Sequence, residues 1–483
     1  MIRLSLAEVA EAVGGELVGL PGEVTGSVTV DSRTISPGDL FVALPGERVD
    51  GADFLPAAAA AGAAGALSTR PHPALPCVVV PDPVPALGRL AAAAHARLVG
   101  GGLVTVGVTG SSGKTSTKDL LGQVLATAGP TVSPQGSFNN DIGLPLTVLT
   151  AGPDTRYLVL EMGSRGPGHI ARLCGVARPL IGVVLNVGSA HLGEFGSADA
   201  IATSKGELVE ALPAEGTAVL NADDPRVLGM AGRSRARVVT TGVDAAGADV
   251  RATGVELDEQ ARARFTLVAA GEEHPVTLQV VGAHQVANAL SAAGAALAAG
   301  LSPAQVAAGL SAAGARSRWR MEVSRRADGV TVVNDAYNAN PESMRAALAA
   351  LAGLAARRRV AVLGAMGELG PGADAAHARL GRDAVRAGVD VLVSVGPDAI
   401  GVHTGAVAEW SAAGRGPGGE PVHVADRDAA RRLLAAELSP GDVVLVKASR
   451  SYALEVLAAD LLTDDPVVPG TDTDSAGAWK GTA

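Results

Sequence analysis

At 483 residues, 47% of them hydrophobic, the chain exceeds what one core holds, so two or three globular domains are expected. A formal charge of −10 and a pI of about 5.4, with no basic tail or interleaved aromatic and basic residues, exclude a general nucleic-acid surface and favour a small-molecule ligand in a local positive pocket. Cys77 and Cys174 alone exclude a disulfide framework, and no signal-peptide pattern or membrane-spanning run is read, so a cytoplasmic protein is expected.

In chain order, residues 1–98 mix short strands and alanine-rich helix as a small α/β domain. In it Asp31-Ser32-Arg33 follows a strand over 27–30, and a helix over 86–98 runs into Gly100-Gly101-Gly102. A buried strand over 103–108 then leads into Thr109-Gly110-Ser111-Ser112-Gly113-Lys114-Thr115-Ser116 and a helix with Leu120, Leu121, Val124 and Leu125 on one face. That succession is a phosphate cradle. Backbone N–H groups and a helix N-terminus converge on phosphate oxygens, Lys114 reaches the β- and γ-phosphates, and Thr115 offers a hydroxyl to Mg²⁺. One departure stands out: Val108 occupies the position where the first glycine of such loops usually stands, with glycines at 107 and 110.

Further strands are expected over 157–160, 180–185 and 218–220, alternating with helices as in a doubly wound sheet. The first ends in Glu161, a metal-binding acid candidate downstream of the loop, and the second leads through Asn186 to His191 at the carboxyl edge, where such sheets bind ligands. Lys205 falls on a helix starting near Ala198; read alone it is as readily a surface lysine. After alanine-rich helices over 288–315, a second α/β series has strands over 330–333, 360–363, 389–395 and 443–446. Asn340-Pro341 is a helix cap followed by a first-turn proline, and Lys447, Ser449 and Arg450 fall at a strand-to-helix junction suited to an acidic group. From 464 onward the composition carries no periodicity and disorder is expected.

Lysine stands only at 114, 118, 205, 447 and 480 in a chain that otherwise uses arginine. Arginine replaces neither a compact ammonium in a phosphate loop nor an amine that must lose its proton. Lys114 meets the first need and Lys205 is a candidate for the second.

The loop variant, Ser137-Phe138-Asn139-Asn140, Glu161-Met162-Gly163, His191, Lys205-Gly206-Glu207, His284 to Ala289, Arg320-Met321-Glu322, Asn334 to Pro341 and Lys447 to Ser451 together resemble the Mur ligase family in order and spacing. The resemblance covers nearly the whole chain and implies three α/β domains. These are a UDP-substrate domain over 1–98, a central P-loop ATPase domain with a doubly wound sheet over 99–315, and a Rossmann-like domain over 316–463. It further implies a monomeric ligase, bound to neither nucleic acid nor membrane, that adds D-alanyl-D-alanine to UDP-N-acetylmuramoyl-tripeptide through an acyl phosphate. By the same resemblance Lys114, His191 and Lys205 are catalytic, and Thr115, Glu161, His191 and a carbamylated Lys205 hold two Mg²⁺ ions. ATP would meet residues 109–116 together with Asn288, Arg320 and Asp335. Asp31, Ser32 and Arg33 would meet the uridine nucleotide, while Asn139, Asn140, Tyr337, Asn338, Lys447, Ser449 and Arg450 would meet the acyl or dipeptide substrate. Alternatives are a Mur ligase adding a single amino acid, a folylpolyglutamate-synthase-like ligase, whose P-loop lies nearer the N-terminus, and a P-loop switch, for which no Asn-Lys-x-Asp motif is found.

Overall fold

A computed structural model describes residues 1–46, 49–188, 192–416 and 419–463. His191 and the tail from Asp464 lie outside the described residues. The chain divides into two compact units, one of residues 1–186, 202–250 and 290–309, the other of residues 187–201, 251–289 and 310 onward.

In the first unit, a small sheet has the strand order Glu16–Val18, Cys77–Val79, Gly65–Ser68, Leu40–Val42, Val28–Thr29, with only the first pair antiparallel. Phe41, Leu55, Ala66 and Cys77 form its core. Parallel strands follow in the spatial order Arg237–Gly242, Thr217–Asn221, Ile181–Val184, Val104–Thr109, Tyr157–Glu161, Thr131–Val132. Val106, Val108, Leu158, Val159, Val183 and Val219 are fully buried, as a sheet covered on both faces requires. After Val104–Thr109 the chain places Tyr157–Glu161 on one side and Ile181–Val184 on the other, so the strand order reverses at that strand. Such a switch point opens a crevice beyond the carboxyl ends, and the phosphate loop, Glu161 and Asn186 all emerge there.

The second unit holds an antiparallel ribbon, Arg262–Ala269 with Glu272–Val281, and a separate sheet in the order Glu322–Arg325, Thr331–Asn334, Val443–Lys447, Arg359–Leu363, Val391–Val395, Val422–Val424. Only its first pair is antiparallel. Asn340 caps the helix Pro341–Gly353 through the Ser343 N–H at 2.8 Å, with Pro341 in the first turn as the sequence predicts. Among the described residues no helix is long and apolar enough to cross a membrane.

Candidate active site

The phosphate loop joins the strand Val104–Thr109 to the helix Lys114–Ala126. Gly113 has φ +83°, a left-handed conformation that side chains disfavour, and a Cβ at Gly110 would lie 2.8 Å from Leu185 Cβ. The unusual Val108 is fully buried inside the sheet, so the glycine-requiring turn begins only after it. Asn186 latches the turn: its carbonyl accepts the Ser111 N–H at 3.1 Å, its Oδ1 accepts the Ser112 N–H at 2.9 Å, and its Nδ2 donates to the Ser112 carbonyl at 3.2 Å. Lys114 Nζ donates to the Gly110 carbonyl at 2.8 Å, folded back on its own loop, and the Thr109 hydroxyl donates to the Met162 carbonyl at 2.8 Å.

Glu161 is 3% exposed at the end of its strand. Its Oε2 accepts the Thr115 hydroxyl at 2.9 Å, while Oε1 accepts Ser137 Oγ and Asn139 Nδ2, each at 2.7 Å. Among the described residues no group of three or more His, Cys, Asp or Glu gathers. A lone carboxylate beside a hydroxyl at a phosphate loop is the hard-oxygen donor set that suits Mg²⁺ shared with phosphates. The neighbouring asparagines divide the work: Asn139 orients Glu161, whereas Asn140 Oδ1 accepts the Ile142 and Gly143 N–H groups at 3.1 and 2.8 Å, turning the chain into the helix Gly143–Thr150.

Lys205 lies on the helix Ala198–Glu210 and is 5% exposed, which removes the surface-lysine alternative. Burial, together with the charge of Lys114, pushes its amine down to about 7. Side chains flanking it fasten the helix. Ser204 Oγ meets Ser164 Oγ at 2.6 Å, and the Glu207 carboxylate accepts the N–H groups of Gly168 and Ala171 at 2.6 and 3.0 Å, satisfying donors at the start of the helix His169–Ala177.

In the second unit, Lys447 is 2% exposed and its Nζ donates to Asp335 Oδ2 at 2.6 Å and to the Asn338 carbonyl at 2.8 Å. Asp335 Oδ1 accepts the Met321 N–H at 3.1 Å, so both carboxylate oxygens are engaged inside the unit. Burial lowers the Lys447 amine against the opposing pull of Asp335, and it also lowers the nearby His284 imidazole. The Arg320 guanidinium lies 4.2 Å over the Tyr337 ring, Tyr337 stacks with Trp319 at 6.4 Å, and Arg450 lies 4.3 Å over Trp319. Trp319 and Met321, on either side of Arg320, both adopt positive φ, at 60° and 50°. Ser449 Oγ accepts the Gly367 N–H at 2.7 Å, Arg450 also pairs with Glu455, and Asn288 Nδ2 donates to Gln285 Oε1 at 2.9 Å.

In the N-terminal sheet region, Asp31 caps the short helix Ser32–Thr34 and is clasped by Arg33 at 2.8 and 2.7 Å. That guanidinium holds the Asp31 carboxyl down to about 2. A cavity of about 590 Å³ in the second unit, lined in part by Arg358, Asp390, Trp410 and Leu434, includes none of the sequence-predicted site residues. Sequence reasoning left Ser137, Asn186 and Trp319 out of the site. The first two stood inside quoted motifs as small polar side chains at strand or loop ends, and Trp319 is one of only three tryptophans.

Phosphate loop, strand-end carboxylate and switch-point sheet define a P-loop nucleotide-binding α/β protein. The Mur ligase family, catalytic domain, matches residues 25–95, the Mur ligase middle domain 108–296, and the Mur ligase, glutamate ligase domain 319–450. The chain is 51% identical to UDP-N-acetylmuramoyl-tripeptide--D-alanyl-D-alanine ligase of Mycobacterium tuberculosis, over 96% of this chain and 99% of the relative. A crystal structure of MurF from Acinetobacter baumannii matches with a TM-score of 0.85 at 31% identity, over 96% of this chain and 100% of that one. MurF ligase from Thermotoga maritima, solved in complex with ADP, matches with a TM-score of 0.77 at 29% identity, over 91% and 97%. The chain belongs to the Mur ligase family and has its three-domain α/β architecture.

Proposed function

We propose that this chain is an ATP-dependent ligase that joins D-alanyl-D-alanine to UDP-N-acetylmuramoyl-tripeptide in cytoplasmic peptidoglycan precursor synthesis. Its end-to-end likeness to ligases of that name carries the reading, and the Thr115–Glu161 pair beside the phosphate loop supports it.

Loop N–H groups of residues 110–116 hold the ATP phosphates, and Lys114 leaves the Gly110 carbonyl to meet the β- and γ-phosphates. The tripeptide carboxylate attacks the γ-phosphorus, an O–P bond forms and ADP leaves, giving an acyl phosphate. The dipeptide amine then attacks the acyl carbon and gives up a proton, and phosphate departs with the C–O electron pair as the amide forms. Carboxylate and triphosphate repel, so positioning and charge neutralisation supply most of the rate. Thr115 and Glu161 would hold Mg²⁺, which would supply that neutralisation.

Lys205, with His191, is assigned to a second Mg²⁺. A buried amine lowered to about 7 is partly neutral at physiological pH, the form that adds to CO₂, releasing a proton and leaving a carbamate. A carbamate is an anionic oxygen ligand on a long stem, which arginine cannot become. Asn288, Arg320 and Asp335 are assigned to the nucleotide, Asp31, Ser32 and Arg33 to the uridine moiety, and Asn139, Asn140, Tyr337, Asn338, Lys447, Ser449 and Arg450 to the acyl or dipeptide substrate. Lys447 pairs with Asp335 and Arg450 with Glu455, so at either cation the incoming carboxylate competes with a resident acid. The domains assigned are 1–98, 99–315 and 316–463, in a monomer with neither nucleic-acid nor membrane partner.

The test incubates the protein with ATP, Mg²⁺, UDP-N-acetylmuramoyl-tripeptide and either D-alanyl-D-alanine or single amino acids, with products read by mass spectrometry. Stoichiometric ADP and phosphate with the dipeptide are expected, because carboxylate partners placed for a dipeptide stay unpaired when a shorter amine enters. Equal or better use of a single L-amino acid overturns the assignment.

A further inference from the structure

Among the described residues, Lys118 is the one buried lysine to which the reaction above gives no part. It lies one helical turn after Lys114, on the same face of the helix Lys114–Ala126, and is 1% exposed. A second ammonium there is unfavourable, because the helix N-terminus is already positive and Lys114 adds to it. Asp119 offsets this at 2.6 Å from Lys118 Nζ. The other bond of that ammonium goes outside the helix, to the Pro134 carbonyl. Ser133 Oγ donates to the Lys118 carbonyl at 3.3 Å, and a Cβ at Gly122 would lie 2.5 Å from Ser133, so helix and segment touch backbone to side chain at this point. Three residues beyond Pro134 stands Ser137, and two further on Asn139, the donors that hold Glu161 Oε1. The far end of the segment is fixed separately, by the Gly163 N–H on the Asn139 carbonyl at 2.9 Å and by the Asn140 cap.

We propose that Lys118 is a positioning residue for metal binding. By tying Pro134 to the phosphate-binding helix, it sets where Ser137 stands at the near end of the segment, and Ser137, together with the separately anchored Asn139, keeps Glu161 facing Thr115. Arginine fits poorly, because its guanidinium is larger than an ammonium and holds its donors in fixed planar directions, whereas the lysine Nζ can aim separately at one carbonyl and one carboxylate in a fully buried site.

This inference rests on the assignment of Mg²⁺ to Thr115 and Glu161, and its test needs no ligase activity. Calorimetry measures the affinity of a non-hydrolysable ATP analogue with Mg²⁺ and in EDTA, for the wild type, Lys118→Met, Lys118→Gln, Glu161→Gln and the Lys118→Met/Glu161→Gln double variant. Lys118→Met is expected to lose about tenfold of the Mg²⁺-dependent gain in affinity while binding in EDTA stays within about twofold of wild type. Lys118→Gln, whose amide still donates to Pro134, keeps more of the gain, and the double variant is no worse than Glu161→Gln alone. An unchanged gain in Lys118→Met, equal losses with and without metal, additive losses in the double variant, or failure of both position-118 variants to fold overturns the proposal. A wild type with no Mg²⁺-dependent gain overturns the metal assignment on which it rests, whereas failure of amine-dependent ligation alone touches only the substrate reading.

Discussion

Lys205 in the first unit and Lys447 in the second are buried to nearly the same degree, 5% and 2% exposed, but their surroundings treat the charge in opposite ways. Lys447 has the Asp335 carboxylate at 2.6 Å and the Asn338 carbonyl at 2.8 Å, an ion pair with a supporting acceptor. What acts on Lys205 is burial and the like charge of Lys114, which push its proton off. In an arginine-biased chain the same residue type is thus kept for two reasons. One is a compact cation that neutralises a buried acid. The other is an amine whose charge can be given up.

The largest expected effect lies at Lys114, which the proposed reaction brings to the ATP phosphates. Lys114→Ala should lower phosphate release about a thousandfold, roughly 4 kcal/mol of transition-state stabilisation, and Lys114→Arg should fail nearly as badly. Retention of more than about a tenth of wild-type turnover would remove Lys114 from the reaction.

The contrast between the two buried amines breaks on stability. Lys447→Met leaves Asp335 buried and unpaired and should cost about 3 kcal/mol in denaturant unfolding, much of it recovered in Lys447→Met/Asp335→Asn. Lys205→Met removes a buried amine that burial already disfavours, and should be neutral or slightly stabilising. Equal destabilisation by the two substitutions would end the distinction.

Activity sharpens it from the other side. Lys205→Ala should lose about a hundredfold in turnover, Lys205→Arg should not restore it, and acetate should partly rescue the alanine variant by placing a carboxylate in the vacated space. The pH dependence follows from the depressed amine. Below about 7 the folded protein holds Lys205 protonated and unreactive to CO₂, and above it neutral. Activation of CO₂-depleted enzyme by bicarbonate should therefore increase as pH rises, larger at about pH 8 than at about pH 6. A flat response, with near-wild-type rates in both variants, would make Lys205 a packing residue.

How far the site could be read in advance varied with how local its parts are. The loop from Thr109 to Ser116 was legible because its turn, glycine and helix start are contiguous, and the strand ending in Glu161 because alternate-face burial on a covered sheet leaves an unbroken apolar run. The lysine bias drew attention to Lys118, Lys205 and Lys447, all buried in the structure, without sorting them. Lys118 went without a role because its partner, the Pro134 carbonyl, lies sixteen residues away on a segment without side-chain signal. The Lys447–Asp335 pair spans 112 residues, and nothing in either local pattern announces the other. Asp31-Ser32-Arg33, placed in the sequence after a strand, forms a short helical turn in which Asp31 and Arg33 bond each other.

By itself, the sequence determined the α/β alternation, the phosphate loop and the helix start at Asn340-Pro341, each from periodicity or motifs confined to neighbouring residues, and the family from the order and spacing of such motifs along the chain. Tertiary structure alone decided which lysines keep a proton, which oxygen of Glu161 faces Thr115 and which of two adjacent asparagines bonds Glu161 while the other caps a helix. Those outcomes depend on desolvation and on donors brought together from distant parts of the chain, and neither is encoded in local spacing.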